Sequence, residues 1–157
     1  METEVHFRET QRFDQPWLWG LLALRTFADL VALVRGKRSL GETVRRLAAV
    51  GAAALFFRVA RLDTEVRDDG LYVKFAPLHR SAKRVPFADL ADVQETGYSP
   101  LRYGGWGLRW TPSGTAYTVR GNSGVRFERT GGKSLVVGSS RPDELVAAVQ
   151  EATERTV

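Results

Sequence analysis

The chain contains no cysteine, which excludes disulfides and thiolate-bound metals while leaving either redox compartment open. Its only histidines, His6 and His79, are far apart in sequence, so no histidine cluster offers a metal ligand set or a base for nucleophilic catalysis. Internal repeats and low-complexity segments are absent as well. The opening residues lack the basic start and clean apolar core of a signal peptide. Glu2, Glu4, Glu9 and Asp14 mix there with Arg8 and Arg12, and the apolar stretch that follows carries Arg25 and Asp29. Nucleotide motifs fail on spacing. Gly132, Lys133 and Ser134 resemble the end of a phosphate loop, yet Phe127 stands where that loop needs a glycine. Gly104, Gly105 and Gly107 lack the dinucleotide spacing and open a strand instead of a helix.

What is present is globular. Apolar residues make up 43% of the chain and aromatics 10%, enough for a small core. A formal charge of +5 calls for an anionic partner, either lipid headgroups or nucleic acid. The remaining candidates for chemistry are carboxylates such as Asp63, Asp89, Asp92 and Glu95, which sit at turns and strand edges as solvated charge. No catalytic centre and no cofactor are expected.

Composition changes near Leu62, and a boundary is expected at Leu62/Asp63, dividing residues 1–62 from 63–157. Before it lie two apolar runs, 17–34 and 47–57, joined by a basic link over 35–42. The first run opens with Pro16, suited to a first helical turn, and with Trp17 and Trp19, which favour a membrane interface. Its 18 residues cover roughly 27 Å as a helix, close to the ~30 Å hydrocarbon core. Arg25 and Asp29, four apart, stack on one helix face and can pair there. The second run is short but rich in small residues, so Ala48, Ala49, Ala52 and Ala53 are expected at the helix contact. Together these runs predict a transmembrane hairpin. Charge bias does not choose its orientation; the β domain is expected on the cytoplasmic side. Val5, His6, Phe7 and Arg8 are expected to be extended and to pair with that domain.

Beyond the boundary, short alternating segments separated by turn residues at a spacing of about ten predict antiparallel strands. Asp68, Asp69 and Gly70 mark a hairpin turn. A helix closes the chain, with Ser140 and Asp143 patterned as a capping box and Leu145, Ala148, Val149 and Ala152 as its apolar stripe. Trp106 and Trp110, an even spacing apart, are expected in the core. Two segments are long and charged enough to reach a partner: the loop carrying Arg80, Lys83 and Arg84, and the glycine-rich stretch carrying Arg102, Tyr103 and Arg109.

The two N-terminal apolar helices, the strand pair around Glu65–Val73, the 100–109 stretch and the helix start at 140–145 together resemble a family of uncharacterised small prokaryotic membrane proteins with a bacterial pleckstrin-homology-like domain. The resemblance implies an α+β chain whose bent antiparallel barrel is capped by one helix. It implies binding of lipid headgroups or of a protein partner, not an activity. The expectation is a non-enzymatic, membrane-anchored binding or scaffold module, its hairpin completed by a partner's helices or a second copy. The alternative is a soluble basic protein that binds nucleic acid.

Overall fold

The computed structural model describes residues 4–99 and 105–156, and they form two units. Phe13–Ala60 is one; Met1–Arg12 with Arg61–Val157 is the other.

The first unit is a helical hairpin. Helix α1, Pro16–Val34, begins with proline at its first turn, where a missing N–H costs nothing. It ends at Gly36, which has φ +67°. The Lys37 amide donates to the Ala32 carbonyl and the Gly36 amide to the Leu33 carbonyl, the double bond pattern that closes a helix C-terminus. Helix α2, Leu40–Val59, starts seven residues before the apolar run expected at Leu47. Its start is set by a capping box: the Ser39 hydroxyl accepts from the Glu42 amide, and the Glu42 carboxylate accepts from the Ser39 amide.

Leu18, Leu22, Thr26, Asp29 and Leu33 form the inward stripe of α1; Thr43, Leu47, Val50, Ala54 and Phe57 form that of α2. Ala48, Ala49 and Ala52 are exposed and Ala53 is half-buried, so the small-residue face expected at the contact points outward. The register follows Thr43 and Phe57, whose ring meets Phe13 edge-on at 5.3 Å. Among the described residues only α1 is long and apolar enough to cross a membrane. α2, the expected second span, falls short of that measure, because Glu42, Arg45 and Arg46 occupy its first two turns.

The second unit contains two sheets and a helix. β1 (Val5–Arg12), β2 (Arg61–Arg67), β3 (Gly70–Ala76) and β4 (Lys83–Val85) pair in that order, all antiparallel. The expected pairing of the Val5–Arg8 segment is therefore present. It places β1 with the sheets and not with the hairpin, and the boundary expected at Leu62/Asp63 falls within β2. The second sheet holds β5 (Leu90–Gly97), β6 (Gly107–Thr111), β7 (Gly114–Thr118), β8 (Ser123–Arg129) and β9 (Ser134–Gly138) in the order β5-β8-β9-β7-β6. β9 enters between β7 and β8, which makes the β7–β9 pair parallel. Gly114 permits that neighbour: a Cβ there would lie 1.8 Å from the Ser134 carbonyl oxygen.

Among the described residues no strand pairing joins the two sheets, so the expected bent antiparallel barrel is corrected on two counts, closure and the parallel pair. β4, only three residues long, ends its sheet before a ladder to the other can form. Leu62, Val66, Leu71, Val73 and Phe75, with Tyr117, Val119, Val125, Phe127 and Val137, are all buried and form the core. Helix α3, Pro142–Thr156, lays Leu145, Ala148, Val149 and Ala152 against strands of both sheets. The expected Ser140 cap is absent, because the Ser140 hydroxyl and amide both donate to Glu9 of β1. Ser139 accepts from the Arg141 amide in its place.

Candidate functional site

Strand parity divides the basic 80–84 segment. Lys83 stands opposite the inward-facing Val73 and Arg84 opposite the outward-facing Tyr72. The Arg84 guanidinium is occupied: it donates to the Asp69 carbonyl at 2.9 Å and meets the Asp69 carboxylate at 3.0 Å, while the Tyr72 hydroxyl donates to that same carboxylate at 2.7 Å. Arg84 thus fixes the β2–β3 turn. Arg80 is exposed and has no hydrogen-bond or ion-pair partner among the described residues.

Lys83 instead lines a cleft of about 340 Å³ between the two sheets. Val73, Val85, Tyr117 and Leu135, all buried, make its apolar floor, and Arg129 and Lys133 join Lys83 as its cations. Thr111, Thr115 and Ser134 supply hydroxyls. Among the described residues no carboxylate lines the cleft; Asp89 acts on it through Arg129, 3.4 Å from the guanidinium. Trp110 also lines it and is 71% exposed, which corrects the expected core placement of that tryptophan. As a residue of the edge strand β6 it has no further strand to cover it. Trp106 is half-buried and donates through its indole N–H to the Gly121 carbonyl at 3.0 Å.

His79 packs edge-on against Tyr117, ring centroids 5.7 Å apart, and accepts from the Phe75 amide at 3.4 Å. Burial and then the positive charge of Lys83 push its pKa down, so it is neutral at pH 7 and adds no fourth cation.

Arg109 points away from the cleft, on the face of β6 opposite Trp110, where with Arg126 and Tyr98 it borders a cavity of about 40 Å³. Burial pushes the Tyr98 phenol up to about 12. Arg102 and Tyr103 lie outside the described residues. Of the expected contact residues that are described, then, Lys83 alone lines the cleft. Arg129, Lys133 and Trp110 were missed because the turn through Gly131 and Gly132 and the tryptophan spacing each had an ordinary structural explanation. The missing signal was three-dimensional: a β8–β9 turn brought opposite a β4 lysine.

Among the described residues, no group of three or more histidine, aspartate or glutamate side chains comes together to hold a metal ion. The cleft's donors are cationic and hydroxylic, a set that accommodates an anion. Residues 46–155 match the family of unknown function DUF6141, and the chain belongs to it. The match begins inside α2 and ends within α3. No curated protein matches the chain.

Proposed function

We propose that this DUF6141 chain is a non-enzymatic, membrane-anchored binding module, with Phe13–Ala60 as its anchor and the cationic cleft as the seat of an acidic ligand or partner. One observation carries the reading. In α1 large apolar side chains stand exposed, Leu24 at 63% and Phe27 at 65%, while the one fully buried residue is Asp29. A soluble amphipathic helix has the opposite arrangement, and so does the core helix of a soluble protein. The 19 residues of α1 rise about 28 Å, close to the hydrocarbon thickness.

A removable leader would fit the same length and apolarity, but here the strand before α1 belongs to a folded sheet. Cleavage after α1 would strip β1 from β2 and uncover the buried Phe7. Arg12 and Arg61 are Cα partners, so a chain that crosses out and back resumes the same ladder that it left. α2 completes the return with the bilayer locally thinned, since its apolar residues 47–57 rise only about 16 Å. The β unit reads as an opened relative of the pleckstrin-homology-like barrel, retaining two sheets and a closing helix. Its parallel β7–β9 pair departs from that pattern.

Fractionation tests the proposal. The full chain should resist alkaline carbonate and be released by detergent. Release by salt alone, together with retention on immobilised polynucleotide, would favour the soluble nucleic-acid reading instead.

A further inference from the structure

The sheet of β1 to β4 buries one face and leaves the other in water. Register puts Arg8, Arg12, Arg61, Arg67, Lys74 and Arg84 on the outer face together with the carboxylates of Asp63 and Glu65. Six cations stand against Asp63 and Glu65 on this face and against Asp69 at its turn, which holds Arg84 at 3.0 Å, so the face keeps an excess of positive charge. Glu65 is shared by Arg8 at 2.9 Å and Arg67 at 2.6 Å, and Asp63 takes Arg61 at 3.1 Å. Arg12 and Lys74 have no ion-pair partner among the described residues. A groove of about 520 Å³ runs along this face and is bordered by Arg8, Arg12, Arg61 and Lys74.

The pairing at the sheet's end is unfavourable by itself. Arg12 lies directly across the ladder from Arg61, and like charges so placed repel; Asp63 relieves Arg61 at 3.1 Å, which leaves Arg12 open to an external anion. These are also the residues at which the chain leaves the sheet and returns to it. Phe13, Asp14 and Gln15 alone separate Arg12 from α1, and Ala60 alone separates Arg61 from α2. Chain length therefore keeps Arg12 within about 14 Å of the start of the apolar helix.

We propose that this outer face is a headgroup-docking surface, on which the phosphates of anionic phospholipids, in the bilayer that holds the hairpin, sit against Arg12, Arg61 and Lys74. The inference rests on the anchor reading of Phe13–Ala60. It differs from the cleft in partner and position: the cleft lies on the inner side of the same sheet, beside Lys83. Anionic lipid near the surface strengthens the association about fivefold for each cation that reaches it.

Because the chain has no cysteine, a single introduced thiol reports on this face without background. Ala82 is exposed and borders the groove; Ala147 is exposed on α3 and serves as the control. Full-length Ala82→Cys chain, dye-labelled and reconstituted, would be compared in vesicles of phosphatidylcholine alone and with phosphatidylglycerol added, each carrying a headgroup-attached quencher. Quenching should be strong only with the anionic lipid, and about 1 M salt should remove the difference. Arg12→Gln with Lys74→Gln should lower the docked-to-undocked ratio about 25-fold with no change in melting temperature. The Ala147→Cys label should respond to neither change. Quenching that ignores lipid composition, or that survives the double substitution in carbonate-resistant vesicles, overturns the docking surface and leaves the anchor standing. Carbonate-extractable chain overturns both. Retention on polynucleotide that falls in the double variant, while lipid composition has no effect, assigns the face to nucleic acid and overturns the proposal.

Discussion

Glu9 of β1 accepts a 2.5 Å hydrogen bond from the hydroxyl of Ser139, 130 positions later in the chain. The Ser140 amide at 2.9 Å and the Gln11 side chain at 3.0 Å also donate to this carboxylate, which is buried. Gln11 donates as well to the Gly138 carbonyl at 3.2 Å. The N-terminal strand is thereby tied to the junction of β9 and α3.

Acid should loosen that tie. Burial pushes the Glu9 carboxyl up, but the hydroxyls of Ser139 and Ser140, the Ser140 amide and Gln11 outweigh it and hold the group below its ordinary value. A depressed folded-state pKa contributes stability above the unfolded value, about 4.3, and that contribution is lost as pH falls through the folded value. Glu9→Gln should cost roughly 1–3 kcal/mol at pH 7, because its amide turns a donor toward donors. Urea unfolding at pH 7 and pH 3 checks this: the gap between wild type and variant should narrow in acid.

Phe7 should matter by packing alone. It is buried on β1 with the Arg141 guanidinium 4.9 Å from its ring centre. Phe7→Ala is expected to destabilise the β unit by about 3–5 kcal/mol, read by thermal or urea unfolding. A change below about 1 kcal/mol would mean that β1 is dispensable.

The hairpin depends on Asp29, which is fully buried and ion-paired to Arg25 at 3.0 Å and to Arg38 from the link. Removing the shared carboxylate leaves two guanidiniums without their partner. Asp29→Ala should cost about 3–5 kcal/mol and expose the link to protease in detergent. Arg25, nearly half exposed, should contribute no more than about 1 kcal/mol when replaced by alanine.

The outward alanines should tolerate bulk. Ala49→Leu is expected to change stability in detergent by less than about 0.5 kcal/mol, since the side chain is exposed. Ala54→Leu, on the inward stripe, should cost about 1–3 kcal/mol by overpacking. The reverse order would restore the small-residue contact.

Local signals were legible in the sequence. Pro16 marked α1, Asp68 to Gly70 marked the β2–β3 turn, and Arg25 with Asp29 announced their ion pair four residues apart. The Ser39–Glu42 box was equally local but hidden inside a link read only for its charge. Partners distant in sequence were harder to read. Nothing in the alternation of β7 reveals that its neighbour is β9, running parallel. Ser140 looked like a helix cap because its competitor, Glu9, lies 131 positions away. For the cleft, Lys83 could be named, but Arg129 and Lys133 join it only through the fold.

The anchor is tested most directly by depth. Leu24 lies near the middle of α1 and faces outward; Val34 ends the helix and is 87% exposed. Single-cysteine variants Leu24→Cys and Val34→Cys, dye-labelled in vesicles with quenchers at graded acyl depths, would place each position along the bilayer normal. The account predicts that the Leu24 label is quenched most strongly by the deepest acyl quencher and is shielded from aqueous iodide, with the Val34 label shallower. A Leu24 label quenched by iodide as readily as the Val34 label would contradict a membrane anchor.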